Sequence, residues 1–365
     1  RIKATEISMI GFTSGTTGMP KGAEHAQVSR IAMAKHYGAG PKIHGLDIVL
    51  NIISPVGGLS SAFTYNGSAA LVGAKVILLD VWSPEKTFAL IEKERATILL
   101  AVPAQLAKIV LSSSEGYDLS SLRCICTSTA PLPYTLAKEV EEKFKVPVVN
   151  FYGQFDAGSI AAVNINDPPE VRWATVGKPL KENTMAIIGE NGEEVKAGEI
   201  GEVVYTGPTA GPGYYGDLET TLKIWGKLGK EGRCHSGDLA KFDEEGHLIL
   251  VGRKKEVIIR GGQNVYPAEV EGMLLTHPKI NSVAIVPMPD PIMGEKCCAY
   301  AALKSGEELS FEEMVSFLKE KKIANYKIPE RLEIREKLPL KGHQKIAKEP
   351  LCRDIIEKLR QAGKL

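Results

Sequence analysis

Short continuous apolar runs alternate with helical periodicity through residues 46–155. Residues 74–79, 97–102, 123–128 and 146–151 are runs of strand length, and the unbroken apolar stretches among them fit strands buried on both faces. Between the first two, Ser83-Pro84 supplies an N-cap and a proline at the first helical position, predicting a helix over 85–95. Pro103–Leu111 reads as a second helix. Leu132, Leu136, Val140 and Phe144 recur every four residues and mark one apolar face of a third. Strand–helix–strand repetition predicts right-handed crossovers in a mostly parallel sheet. Ligands of such sheets gather at the carboxyl ends of strands, and the stretch from Tyr152 to Asp156 begins at one.

The pattern then changes twice. Over residues 180–250, short strand-like runs are separated by Glu190-Asn191-Gly192, Gly198, Gly207 and Glu244-Glu245-Gly246, which predicts a small antiparallel β-subdomain. Beyond Arg253, Pro267 opens a short helix through Leu275. Strands follow at 281–287 and 297–303. Ser310-Phe311-Glu312-Glu313 forms a capping box before a helix over 311–321. The basic stretch from Arg353 onward reads as a solvated terminal helix. The fold class is α/β: a large domain with a mostly parallel sheet (1–180) carrying a β-subdomain (181–252), then a small mobile α+β domain (253–365) with the boundary near Lys255.

Composition adds exclusions. The 365 residues have room for two or three domains. The chain is 44% hydrophobic and 24% charged, ordinary for a globular enzyme. Lys and Arg number 45 against 44 Asp and Glu, so no basic excess points to nucleic acid and no acidic excess to disorder. No apolar stretch approaches the roughly 20 residues of a membrane span. The chain does not open on a secretory pattern. The six cysteines, 124, 126, 234, 297, 298 and 352, lack Cys-x-x-Cys and zinc-ligand spacing. They read as reduced and mostly structural, as in a cytoplasmic protein.

The chemistry begins at Thr13-Ser14-Gly15-Thr16-Thr17-Gly18-Met19-Pro20-Lys21-Gly22, where seven of ten residues are Gly, Ser or Thr. Glycine permits close backbone approach, so successive N–H groups can wrap an anion. Lys21 adds a point charge suited to phosphate. A Walker A loop ends Gly-Lys-Ser/Thr and opens a helix. Here Pro20 precedes the lysine and Gly22 follows it, so the phosphates of a nucleotide, ATP above all, are expected on a loop and not on a helix N-terminus.

This run resembles the phosphate loop of the acyl-adenylating superfamily, which includes acyl-CoA ligases, aryl-acid ligases, peptide-synthetase adenylation domains and luciferases. Further motifs follow in that superfamily's order. Asn150-Phe151-Tyr152-Gly153-Gln154-Phe155-Asp156 is similar to its Tyr-Gly-x-Thr-Glu segment. Gly198-Glu199-Ile200-Gly201-Glu202 through Gly213-Tyr214-Tyr215 resembles the Gly-Glu-Leu…Gly-Tyr segment, and Ser236-Gly237-Asp238 the Thr-Gly-Asp motif. Gly252-Arg253-Lys254-Lys255-Glu256 through Pro267-Ala268-Glu269-Val270-Glu271 resembles the hinge motif. Lys345 stands six residues after Pro339, as the superfamily's C-terminal lysine does. The superfamily carries a sizeable segment before the phosphate loop, and this chain reads as lacking it.

The resemblance implies two reactions. A carboxylate attacks the α-phosphate of ATP to give an acyl-adenylate and pyrophosphate; a thiol, usually coenzyme A, then displaces AMP. It implies Lys345 as the electrostatic stabiliser of the first step, with Lys341 second to it. It implies Asp156 as the carboxylate that shares Mg²⁺ with the phosphates. Asp238 would accept from the ribose hydroxyls, and Arg253 would donate to the same sugar or to the phosphate. Tyr152 would stack on adenine, with Asn150 at the base's edge, Gly153 beside it, and Thr129, Ala130 and Pro131 on its other side. Lys255 marks the hinge, and Gly261-Gly262 would approach the pantetheine thiol. The partner implied is a small-molecule carboxylic acid, and a homodimer is admitted.

Departures from the superfamily's pattern are specific. Phe155 replaces a Thr, Asp156 a Glu, Lys341 a Thr and Gln344 a Gly, and Ser128-Thr129 stands where glycines are common. Ser54-Pro55-Val56-Gly57-Gly58 has neither His nor Asn, which disfavours a hydroxybenzoate. A roomy apolar pocket for a medium-chain, alicyclic or aromatic monocarboxylate is expected. An enzyme loading an aryl acid onto a carrier protein, or a non-catalytic nucleotide- or acyl-CoA-binding paralogue, are the competing readings.

Overall fold

The computed structural model describes residues 3–13, 21–53, 66–79, 81–155, 158–225, 232–341 and 345–365, with the backbone alone for Lys341 and Lys345. The chain divides into two compact units. One comprises Arg1–Ser236 with Ala240–Leu250, the other Gly237–Leu239 with Val251–Leu365.

The first unit is built on a seven-stranded sheet in the order Lys75–Leu78, Ile48–Asn51, Ile98–Ala101, Cys124–Thr127, Val148–Gln154, Gly158–Ala162, Lys178–Pro179. The first five strands run parallel and the last two pair antiparallel. The continuous apolar runs have the expected cause, since both faces are covered. Ile98, Leu100, Cys124, Cys126 and Val149 pack with Tyr37 on one face. Leu99, Ala101, Ile125 and Val148 pack on the other with Phe88, Ile91, Leu106, Ile109 and Val140. The covering helices of that second face are Pro84–Glu94, Pro103–Leu111 and Tyr134–Phe144. Ser83 caps the first of them, its hydroxyl accepting from Lys86 N–H at 3.2 Å.

At the opposite, amino edge of the sheet, Asp47 is fully buried and held from all sides. Arg123 donates to both carboxylate oxygens at 2.7 and 2.6 Å, Thr97 Oγ1 donates at 2.7 Å and His44 N–H at 2.9 Å. Burial alone would raise its pKa; these bonds outweigh it and hold the carboxyl below its ordinary value.

Two smaller sheets follow along the chain. The hairpin Ile7–Thr13 with Lys21–Ala26 takes Gly213–Tyr214 as a third antiparallel strand. Thr184–Ile188, Gly201–Thr206, Cys234–Phe242 and Leu248–Arg253 form a four-stranded sheet in that order. Ala23, Tyr152, Ile160, Val203, Tyr205, Tyr214 and Trp225 share one core, which ties the hairpin and the β-subdomain to the end of the Val148–Gln154 strand.

The second unit has a five-stranded sheet around the hairpin of Ile280–Asp290 and Gly294–Leu303. Adjacent residues face opposite ways on a strand, and Cys297 and Cys298 do so here. Cys297 packs under Pro267–Leu274 and Phe311–Glu320, and Cys298 under Leu351, Ile355 and Leu359. The last three correct the expectation of a solvated terminal helix. It begins at Lys348, runs to Gln361 and buries one apolar stripe against the sheet. The basic residues, on its other faces, obscured that stripe in the sequence. Ser310 caps Phe311–Glu320 as read, accepting from Glu313 N–H at 3.1 Å. Among the described residues, no helix is long and apolar enough to cross a membrane.

Candidate active site

In the first unit, the carboxyl ends of two parallel strands carry Thr129–Pro131 and Asn150–Gly153, and an antiparallel hairpin carries Thr13 and Lys21. Thr13 and Lys21 are register partners at the end of the hairpin. Lys21 Nζ stands 5.3 Å from the centre of the Tyr214 ring. Ser14, Gly15, Thr16 and Thr17, which lie between them, fall outside the described residues, as do Asp156 and the acid-pocket stretch 54–58.

The Cys124–Thr127 strand ends in three hydroxyl residues. Thr127 and Ser128 are buried, and neither hydroxyl meets a hydrogen-bond partner among the described residues. Thr129 has φ +79°, a left-handed conformation that is strained for a β-branched residue. Ala130 and Pro131 continue this segment. On the next strand Asn150 is the register partner of Thr127, and Asn150 and Tyr152 are 6% and 7% exposed. Gly153 must be glycine, since a Cβ there would lie 2.5 Å from Gly158 O. Gln154 Nε2 donates to Ser236 O at 2.6 Å, so the segment from Asn150 and the start of Ser236-Gly237-Asp238 come together. Phe155 sets its ring edge-on to His25, with centroids 5.9 Å apart. His25 is fully buried, and desolvation takes its pKa down to about 4, so the imidazole is neutral near pH 7.

In the second unit Arg253 Nε lies 2.5 Å from Asp238 Oδ1, with the Asp238 side chain 9% exposed and the Arg253 side chain 45%. Both come from paired strands of the β-subdomain sheet. Lys255 is exposed in the 3₁₀ turn Lys254–Glu256. Gly261-Gly262 is the turn between Ile258–Arg260 and Gln263–Val265. Lys345 starts the short strand paired to Leu340–Lys341, with Lys341 as its register partner. Three residues on, Lys348 Nζ sits between Glu256 Oε2 at 2.9 Å and Glu271 Oε1 at 2.8 Å.

Family comparison matches residues 1–215 to the AMP-binding enzyme model and residues 269–345 to the AMP-binding enzyme C-terminal domain. The chain belongs to the AMP-binding enzyme family. It is similar to the medium-chain fatty-acid–CoA ligase of Escherichia coli, at 34% identity over 359 residues, covering 98% of this chain and 62% of that one. It is similar to the indoleacetate–CoA ligase of Aromatoleum aromaticum, also at 34%, covering 96% and 68%. Among solved structures, o-succinylbenzoate CoA synthetase from Bacillus subtilis, in complex with its acyl-adenylate intermediate, matches with TM-score 0.83 and 27% identity, covering 96% of this chain and 70% of that one. The chain thus spans between 62% and 70% of the length of these three relatives.

The buried Asp238 carboxylate is oriented by Arg253. Tyr152 packs its ring in the core shared by the hairpin and the β-subdomain, and Lys21 is a compact cation at the end of the hairpin. Among the described residues, no group of three or more His, Cys, Asp or Glu is placed to hold a metal ion.

Sequence reasoning missed three residues. His25 sits in a segment with no periodic signal, and its ring meets Phe155, which lies far along the chain. Gln154 was visible only as a variable position within its motif. Lys348 looked like one more lysine in a lysine-rich tail; two carboxylates distant in sequence set it apart.

Proposed function

We propose that this AMP-binding enzyme is an ATP-dependent carboxylic acid–CoA ligase, acting on a medium-chain, alicyclic or aromatic monocarboxylate. The observation that carries the reading is the Asp238–Arg253 pair. Two motif residues meet at 2.5 Å with the carboxylate almost fully buried, in a chain whose relatives include acid–CoA ligases.

In the first half-reaction a carboxylate oxygen of the acid bonds to the α-phosphorus of ATP, and the bond to pyrophosphate breaks. Two anions approach, so positive charge and positioning dominate the barrier. Lys345 takes the role of bridging the acid oxygen and the α-phosphate. Lys21 and the hydroxyls and N–H groups of residues 13–17 hold the triphosphate. Asp156 is assigned the magnesium that ATP carries. Asn150, Tyr152, Gly153 and residues 129–131 hold the base, and Asp238 with Arg253 the sugar. In the second half-reaction the sulfur of coenzyme A bonds to the acyl carbon, AMP leaves, and the thiol proton goes to solvent. Lys255 is assigned the hinge, and Gly261-Gly262 the approach to the pantetheine arm in this second step.

The test is acid-dependent ATP–pyrophosphate exchange. The reading expects exchange with a suitable acid, loss of it in Lys345→Ala, and ATP binding by that variant nearly unchanged. Lys345→Ala with undiminished exchange overturns the assignment.

A further inference from the structure

Lys348 is placed against its local rules. It is the first residue of the helix Lys348–Gln361, and Ala347 before it offers no side-chain cap. The helix dipole disfavours a cation at that end. Two carboxylates from far back in the chain hold it there. Its Nζ lies 2.9 Å from Glu256 Oε2 and 2.8 Å from Glu271 Oε1, with 20% of the side chain exposed. Each carboxylate belongs to a different element. Glu271 stands in the helix Pro267–Leu274, and its Oε1 also accepts from Ile285 N–H at 2.7 Å, which anchors it to the central hairpin of the sheet. Glu256 ends the turn Lys254–Glu256, which buries none of its side chains. It directly follows Lys255, the residue assigned the hinge.

The strand that carries Lys345 is short. Lys345–Ile346 pairs with Leu340–Lys341 in a two-stranded sheet, and Ala347 N–H donates to Pro339 O at 2.8 Å. Ile346 packs against the core that includes Leu351, Ile355 and Leu359. These contacts join the strand to its own hairpin and to the terminal helix, whereas the Lys348–Glu256 pair joins it to the turn at the hinge. Three residues of chain span at most about 10 Å, so a shift at Lys348 is passed to Lys345 with little slack. Misplacing a reacting or stabilising group by about 1 Å slows a reaction by about a hundredfold.

We infer that Lys348 is a positioning residue for acid adenylation: by bridging Glu256 and Glu271 it holds the strand of Lys345 at a fixed place in the second unit, tied to the turn at the hinge. It acts through Lys345 and not on the substrate. The inference rests on the acid-adenylating reading above and on Lys345 as the group that bridges the acid oxygen and the α-phosphate. In that reading Lys345 serves the first half-reaction, so loss of Lys348 weakens that half-reaction and spares the second.

The experiment measures the two half-reactions separately, at a temperature where circular dichroism shows each variant folded. The first is ATP–pyrophosphate exchange with octanoate, phenylacetate or cyclohexylacetate. The second is acyl-CoA formation from the matching synthetic acyl-adenylate and coenzyme A. Lys348→Met is expected to lower kcat of exchange about tenfold to a hundredfold. KM for ATP and the rate of the second half-reaction are each expected to stay within about threefold of wild type. Lys348→Arg restores a cation with donors for both carboxylates and is expected to recover most of the exchange rate. Glu256→Ala leaves Lys348 its pair with Glu271, and is expected to show the same split between half-reactions even where Lys348→Met does not fold. Lys348→Met or Glu256→Ala with unchanged exchange, where Lys345→Ala abolishes it, overturns the inference and leaves the ligase reading intact. So does an equal loss in both half-reactions, a rise in KM for ATP with kcat unchanged, or an arginine variant as slow as the methionine one. Lys345→Ala with undiminished exchange, or wild type with no exchange from any of the three acids, removes the underlying reading, and the inference with it.

Discussion

Arg253 donates from Nε to Asp238 Oδ1 across 2.5 Å, joining two motifs that the sequence shows only as separate turns. The pair fixes an almost buried carboxylate while leaving nearly half of the arginine side chain to solvent. Asp238→Asn keeps the shape and removes the charge. A hydrogen bond to a charged group contributes about 1.5–3 kcal/mol, so the KM for ATP is expected to rise about tenfold to a hundredfold. Unchanged circular dichroism would confirm that the loss is one of binding. An unchanged KM would remove the pair from the sugar site.

Lys348 gives a stability prediction with a defined pH dependence. Burial would lower its pKa, but the charges of Glu271 and Glu256 outweigh that and raise it. For Glu256, burial would raise the pKa and Lys348 outweighs it, holding the carboxyl low. The signs follow from linkage. The stability contributed by Glu256 is present above the ordinary carboxylate value of about 4.3 and is lost as pH falls below it. That contributed by Lys348 is present below the ordinary lysine value of about 10.4 and is lost as pH rises past it. Lys348→Met leaves two carboxylates facing each other and is expected to destabilise by about 3 kcal/mol at pH 7. Urea titrations should show that difference shrinking as pH falls and Glu256 protonates.

Asp47 and Arg123 make a contrast, because they sit at the edge of the sheet away from the strand ends that bind ligands. Asp47→Ala leaves the Arg123 guanidinium without its carboxylate. Removing one partner of a buried pair is unfavourable by about 3–5 kcal/mol. Denaturant unfolding should show that loss. Folded Asp47→Ala protein should keep its KM for ATP, and a change in KM would show that the two ends of the sheet are coupled.

Gly11 and Phe155 are mutually dependent. A Cβ on Gly11 would lie 2.2 Å from the Cε1 and Cζ atoms of Phe155, so Gly11→Ala must push that ring away from its edge-on contact with His25. Gly11→Ala is expected to be destabilising by about 1–3 kcal/mol. In the Phe155→Thr background, the same alanine should be close to neutral. Equal costs in both backgrounds would show that the ring is not what excludes the methyl group.

Much of the fold was legible because local rules and tertiary packing agree. The runs at 98–101 and 124–126 are apolar on both faces because both faces are packed. Ser83 and Ser310 announce helices that they do cap. The terminal helix was misjudged because Leu351, Ile355 and Leu359 form a stripe too narrow to stand out among lysines and glutamates. The site was legible as motifs and illegible as environment. Asp238 and Arg253 could be named from their motifs, whereas the bond between them depends on strand pairing. Thr127 carries no sequence signal at all: a threonine ending an apolar strand is ordinary until burial shows its hydroxyl without a partner.

The measurement closest to the central claim is acid-dependent AMP formation by this chain, across fatty, alicyclic and aromatic acids, with and without coenzyme A. The account predicts AMP release that turns over only when acid and coenzyme A are both present, with acyl-CoA formed in equal amount. Adenylate that accumulates and is indifferent to coenzyme A would contradict the ligase assignment and point to another acceptor. ATP binding with no AMP from any acid would contradict the enzymatic reading itself.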